Sequence, residues 1–382
     1  VSPADEGVQT PGPEPVAVAT TGPVRIVGTG LLGASVGLGL CRFGVEVTLA
    51  DPSPTAVALA RDVGAGRPAR PDDREPALVV VAAPPDVTAD LVAAELATHP
   101  SAVVTDVASV KGTVLASLRA AGADLTRYVG SHPMAGRERT GPAAALPDLF
   151  AGRPWVIVDA GAGADSALAV RNLAVDLGAI PVAMDAATHD QAVATVSHLP
   201  QLVASLVAAR LRDAPVEALE LAGQGLRDVT RIAASDPQLW TAIFAANAAA
   251  VRTELAALRG DLDTVLAALA AADVASGPTT VAEGTLAALA RTLAAGNDGV
   301  ARVPGKHGGQ RYRYARVSVL VPDTPGSLAA LLGVIGDTGV NLEDLDIEHA
   351  AGRLAGIANV AVLPEAAARL ETELTRRGWT VV

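Results

Sequence analysis

The 382-residue sequence predicts an α/β chain in three parts: a mostly parallel sheet with crossover helices, an all-helical region, and a small β-α-β-β-α-β module. Three observations predict it. Short, β-rich apolar runs alternate with helical stretches over residues 23–187. Strand signals vanish over residues 188–295, where Ala/Leu-rich segments such as "QLVASLVAARL" carry apolar residues at helical spacing. Strand and helix signals return together in residues 316–382.

In chain order, residues 1–22 are rich in proline, glycine and acids and lack the basic-then-apolar order of a secretory signal, so a disordered tail is expected. The runs "VRIVG", "VEVTLAD", "ALVVVAAPP", "AVVTDVAS", "RYVGSHP", "PWVIVD" and "IPVAM" then read as strands of βαβ units. Residues 296–315, glycine-rich, polar and basic, read as a solvated hinge in preference to a nucleic-acid contact. Beyond them "RVSVLVPD", "SLAALLGVIGDTG", "NLEDLDIEHA", "LAGIANVAVL", a helix to Arg377 and "WTVV" give a ferredoxin-like module.

Charge and composition exclude several classes. Lys and Arg number 29 against 41 Asp and Glu, a formal net charge of −12, which argues against a general nucleic-acid or anionic-membrane surface. An anionic ligand must therefore meet local positive charge. The single cysteine, Cys41, has no partner for a disulfide and no zinc cluster around it, and reads as a small buried hydrophobe. No metal site is predicted. The most membrane-like run, residues 192–209, contains Ser197, His198, Pro200 and Gln201 and is a poor span. A cytoplasmic setting is expected.

In "VRIVGTGLLGASVGLGL", Gly28, Gly30 and Gly33 form G-x-G-x-x-G after an apolar strand and into a helix, the context of a Rossmann dinucleotide-binding turn. Thr29, Leu31 and Leu32 sit between those glycines and complete the predicted cofactor loop. Asp51 ends the next strand, where a carboxylate accepts from a ribose diol and repels a 2′-phosphate, so NAD is favoured over NADP; it is also placed to cap the following helix. Pro84 and Asp86, in "AAPPD", turn at the carboxyl end of another strand, where such sheets hold ligands.

Ser109 in "TDVASVKG" follows a strand end, either beside the nicotinamide or as a helix cap; Lys111 reads as exposed or phosphate-steering. His132 in "GSHPMAGRE" shares that sheet edge and is a candidate base for a hydroxyl proton, although a lone histidine is often structural. Arg137 and Glu138 either line the pocket or meet water. His189 and His198 are too far apart for a metal pair on one helical face, and His198 is either a core histidine or a pocket donor. Arg227 and Arg231 at i, i+4 project from one helical face and suit a dicarboxylate, with Asp228 as a mundane salt-bridge partner. Ser235-Asp236-Pro237 reads as a helix cap, and Trp240 as core or ligand wall.

Together these residues resemble the TyrA family of prephenate and arogenate dehydrogenases from Val24 onward. "VGTGLLGASVGLGL", "TDVASVKG", "GSHPMAGRERTGP", "HDQAVATVSHLP" and "GLRDVTRIAASDPQLW" occur in the family's order, and "VPDTPGSLAALLGVIGDTGVNL" is similar to an ACT domain. The resemblance implies an NAD(P)-binding Rossmann domain, a helical domain forming a homodimer, and oxidative decarboxylation of prephenate to 4-hydroxyphenylpyruvate or of arogenate to tyrosine. It implies that His132 bonds the ring hydroxyl, that Ser109 stands beside it and the nicotinamide, and that Arg231 binds a substrate carboxylate. His198, Arg227, Trp240 and Glu138 complete the implied pocket. Arg227 stands where some members have lysine, and Gln201 where many have a second histidine. In the last module Asp323, Pro325, Gly326 and Asn341 match positions that bind an amino acid, implying an aromatic effector; an architectural turn is the other reading. A β-hydroxyacid dehydrogenase or a non-enzymatic amino-acid sensor fits these motifs less well.

Overall fold

The computed structural model describes residues 18–137, 139–273, 284–304, 314–349 and 355–382. The chain divides into two compact units, residues 1–212 with 230–256, and residues 213–229 with 257–382.

The first unit is built on eight strands: β1 (Val24–Val27), β2 (Val47–Ala50), β3 (Arg67–Pro68), β4 (Leu78–Val81), β5 (Val103–Asp106), β6 (Tyr128–Pro133), β7 (Pro154–Val158) and β8 (Ile180–Ala183). Their order is β3-β2-β1-β4-β5-β6-β7-β8. All neighbours run parallel except β6 and β7, which pair antiparallel with His132 opposite Val156. The order reverses between β1 and β4, the switch point at which open α/β sheets leave a crevice. Strand β4, "LVVV", is wholly buried because both faces are covered: Leu78 and Val80 join one apolar layer, Val79 and Val81 the other.

The crossovers are α1 (Leu31–Cys41), α2 (Pro54–Asp62), α3 (Pro85–Thr98), α4 (Gly112–Ala120) and α5 (Ala164–Asp176). Helix α6 (Ala186–Val193) follows, capped by Asp185, and runs through a π-helical turn, Ala194–His198, into α7 (Leu199–Arg210). By length and hydropathy Ala186–Arg210 would suffice to cross a membrane. Its buried positions include polar groups, however: His189, His198 and Gln201 are buried alongside Val193, Ala194 and Ala204. Short α8 (Val216–Leu219) and α9 (Gln224–Thr230) lead to α10 (Pro237–Ala246), whose N-terminus is capped by Asp236 with Pro237 in its first turn, as the sequence predicts. Helix α11 (Ala248–Asp273) is followed by α12 (Thr285–Ala301).

The second unit ends in a four-stranded sheet of β9 (Ala315–Pro322), β10 (Asp344–His349), β11 (Ala355–Val362) and β12 (Thr380–Val381), ordered β10-β11-β9-β12 and antiparallel throughout. Helices α13 (Ser327–Asp337) and α14 (Pro364–Arg376) bring Leu331, Ile335, Leu370 and Leu374 into one core with Val317, Val319, Ala358 and Val360 of the sheet. The connectivity is β-α-β-β-α-β.

Two boundaries differ from expectation. The tail is anchored before residue 22: Thr20 donates its amide and hydroxyl to Asp176 at 2.7 and 2.6 Å. Residues 296–301 of the expected hinge belong to α12, since the glycines at 296 and 299 are outweighed by the apolar spacing of "TLAALARTLAA". Residues 305–313 of that hinge lie outside the described residues. Cys41 is half-buried against the apolar layer, and burial raises its thiol pKa.

Candidate active site

The carboxyl ends of β1, β4, β5 and β6 border one cleft of about 640 Å³, closed on its far side by α10. Gly30, Leu31, Leu32, Pro84, Asp86, Ser109, His132 and Arg137 line it, with Gln238, Leu239 and Ile243 from α10.

The glycine turn is built by close approach. A Cβ on Gly33 would stand 2.0 Å from the Gly28 carbonyl oxygen, and Gly28 itself has φ +97° against the Ala82 carbonyl. A Cβ on Gly30 would meet nothing within 4 Å. Gly28 and Gly33 therefore act by packing, whereas Gly30 leaves room for a ligand. No side chain caps α1, so its first-turn amides are free of a capping oxygen. Thr29 is buried and faces Asp51 instead of the cleft: its amide and hydroxyl both reach Asp51 Oδ2, at 2.7 and 3.0 Å. Asp51 does not cap α2, a role taken by Ser53. These features fit a dinucleotide, with its pyrophosphate at Gly30 and a ribose at Asp51.

His132 stands at the end of β6, half-buried on the cleft wall. Its Nδ1 lies 2.9 Å from Nε2 of His189, whose Nδ1 lies 2.8 Å from Asp190 Oδ1. Burial first, then the facing His189, Lys111 and His198, hold the His132 pKa well below its ordinary value. A neutral imidazole next to a hydroxyl is able to accept its proton. Ser109, half-buried in the β5–α4 loop, lines the same cleft. It is not the helix cap. Asp190 caps α4, accepting the amides of Lys111 and Gly112 at 2.8 Å each.

Lys111 overturns its expected exposure. It is 1% exposed, with its ammonium on Asp106 and on the Ser131 carbonyl oxygen, the latter at 2.7 Å. Tyr128 gives its hydroxyl to the other Asp106 oxygen at 2.7 Å. Asp106, five positions earlier, supplies the countercharge that lets a lysine leave water. Burial lowers the Lys111 pKa, and Asp106 opposes that shift. The cluster fixes the backbone immediately before His132.

His198 is buried in a second cluster. Trp240 and Phe244 meet its ring edge-on, at centroid distances of 6.0 and 6.4 Å. Asn247 Nδ2 lies 3.2 Å from its Nδ1, and its buried Nε2 has no partner among the described residues. Burial lowers its pKa to about 4. Gln201 is buried nearby on α7.

The two arginines do not share one continuous helix. Helix α9 ends at Thr230 and Arg231 opens a 3-10 turn, so the expected i, i+4 face is interrupted; Arg231 belongs to the first unit and Arg227 to the second. Glu138 lies outside the described residues, and Arg137 reaches the Ala144 carbonyl oxygen at 3.1 Å. In the C-terminal module Asp323, Pro325 and Gly326 form an exposed turn into α13, Gly326 at φ +89°, and Asn341 donates to Glu343 at 2.7 Å. A larger hollow of about 840 Å³ between α3, α4 and α10 has no histidine, lysine or arginine in its lining. No group of metal-ligating side chains occurs among the described residues.

His189 and Asp190 are the residues that sequence reasoning missed as site components. The adjacent "HD" at the start of a helix was the available signal, but its link to His132 spans 57 positions.

Residues 36–181 match the family model of the prephenate dehydrogenase nucleotide-binding domain, and residues 185–276 that of the prephenate dehydrogenase dimerization domain. A Streptomyces niveus protein named as a probable prephenate dehydrogenase, NovF, is 39% identical over 93% of this chain and 98% of its own length. The prephenate dehydrogenase of Aquifex aeolicus, solved with hydroxyphenyl propionate and NAD+, is 26% identical with a TM-score of 0.61, over 72% of this chain and 97% of that one. Synechocystis arogenate dehydrogenase is 25% identical with a TM-score of 0.57, over 72% of this chain and 99% of that one.

Proposed function

Because the chain belongs to the prephenate dehydrogenase family, we propose that it is an NAD-dependent oxidoreductase of tyrosine biosynthesis that converts prephenate to 4-hydroxyphenylpyruvate, with arogenate as the alternative substrate. The observation that carries the reading is the cleft itself, in which His132 and Ser109 share a wall with the open turn at Gly30.

NAD, when bound, supplies the hydride acceptor. Gly30, Leu31 and Leu32 hold its pyrophosphate at the α1 N-terminus, Asp51 its ribose, and Pro84 and Ser109 flank the nicotinamide end. His132 takes the proton of the substrate's ring hydroxyl as the carbon bearing it gives up hydride. The ring carboxylate then leaves as carbon dioxide, its electron pair aromatises the ring, and the proton returns to the phenolate oxygen. Arg231 binds a substrate carboxylate, and His198, Arg227, Trp240 and Glu138 complete the substrate set. His198 suits this role as a neutral ring, because its low pKa keeps it uncharged at pH 7.

The same proposal covers assembly and control. Residues 23–187 serve as the Rossmann domain and 188–295 as a helical domain that forms a homodimer, supported by the exposed Leu262, Leu266 and Leu269 along one side of α11. Residues 316–382 serve as an ACT domain that takes an aromatic amino acid at Asp323, Pro325, Gly326 and Asn341, supported by the β-α-β-β-α-β connectivity and the exposed turn. Purified protein assayed with prephenate and arogenate, each crossed with NAD and NADP and with and without tyrosine, tests all of this. Turnover of prephenate with NAD, reduced by tyrosine, is expected; turnover of neither substrate overturns the reading.

A further inference from the structure

We propose that His189 and Asp190 are positioning residues that fix which nitrogen of His132 is free to take the substrate proton; this rests on His132 being the base.

The hydrogen bonds carry a direction. Asp190 is ionised, since His189 and the amides of Lys111 and Gly112 outweigh its burial and lower its pKa. An ionised carboxylate only accepts, so His189 donates Nδ1–H to Oδ1 at 2.8 Å. With one proton per ring, His189 Nε2 is then bare and accepts Nδ1–H of His132 at 2.9 Å. His132 is left with its lone pair on Nε2. The base therefore owes its tautomer to a carboxylate two rings away, and that carboxylate is itself held on the N-terminus of α4.

The anchor is well built. Asp190 accepts at both oxygens, its carbonyl oxygen accepts from Asn247 at 2.7 Å, and His189 is wholly buried, so the ring cannot turn without breaking bonds at both nitrogens. When His132 becomes imidazolium, Nδ1–H already points at an acceptor backed by negative charge. Of the other titratable groups facing His132, Lys111 opposes that charge, whereas His198 is neutral at pH 7. Asp190 is the carboxylate in the chain of rings that favours it.

Two measurements test this. In the spectrum of 15N-histidine-labelled full-length protein at pH 7, His132, assigned by its loss in His132→Asn, should carry its proton on Nδ1; a proton on Nε2 overturns the proposal. Asp190→Asn and His189→Phe should each lower kcat at least tenfold while leaving the prephenate KM and NAD affinity within about twofold. In Asp190→Asn the acid limb of kcat/KM should also move to lower pH, because the imidazolium loses its countercharge. An unchanged kcat and pH limb in folded variants overturns the relay while sparing the base. Full activity in His132→Asn would instead overturn the base reading beneath it.

Discussion

Thr29 and Asp51 are bound twice at a single oxygen, the amide and the hydroxyl of Thr29 both reaching Oδ2 of Asp51. Oδ1 accepts from the Ser53 amide at 2.8 Å, so the carboxylate is fixed at the end of β2 before any cofactor arrives. A fixed negative charge there favours a ribose diol and repels a 2′-phosphate. Asp51→Asn keeps the shape and removes the charge. The ratio of kcat/KM for NADP to that for NAD should rise about tenfold or more, which corresponds to roughly 1.4 kcal/mol. Steady-state kinetics with both cofactors checks it, and an unmoved ratio would show that Asp51 does not set cofactor choice.

The glycine turn separates packing from binding. Gly33→Ala forces a Cβ into the Gly28 carbonyl, so about 1–3 kcal/mol of stability should be lost, despite alanine's better helix propensity. Gly30→Ala meets no protein atom within 4 Å and should unfold with the parent's Tm. Its Cβ instead occupies the space expected for the pyrophosphate, so NAD affinity measured by calorimetry should fall at least tenfold. Parent-like NAD binding by Gly30→Ala would place the cofactor elsewhere.

Buried histidines give stability a pH dependence. The His198 pKa falls from 6.5 to about 4 on folding, so between those values the unfolded chain binds a proton that the native one does not. Stability is thus complete above about pH 6.5 and declines as pH falls towards 4, at up to roughly 1.4 kcal/mol per pH unit. His132, lowered in the same direction, adds to the decline. Urea unfolding of the parent and of His198→Asn at pH 7 and pH 5 should show a smaller drop in the variant. Equal drops would mean that His198 is not buried as a neutral ring.

What the sequence disclosed was chiefly local. Gly28, Gly30 and Gly33 lie within six positions, and their spacing encodes a turn whose chemistry depends on neighbours in the chain. His132 was legible because Pro133 and the apolar run before it mark a strand end. The cap of α4 was not, because the sequence offered Ser109 only as one of two readings, and the cap comes instead from Asp190, on a helix 79 positions later than Lys111. Lys111 was misread because lysine defaults to solvent, and only the sheet reveals that Asp106 and the Ser131 carbonyl converge on it, with Tyr128 holding the other Asp106 oxygen. The single helical face drawn for Arg227 and Arg231 failed where the chain tightens into a 3-10 turn, a change that i, i+4 spacing does not register.

His132 moves the hydroxyl proton in the proposed NAD-dependent oxidation. Its most direct test is turnover of prephenate by His132→Asn at saturating NAD, with NAD affinity measured on the same preparation. A fall in kcat of roughly 10² to 10⁴ with NAD binding intact is expected; a variant that turns over prephenate at the parent's rate would rule His132 out as the base.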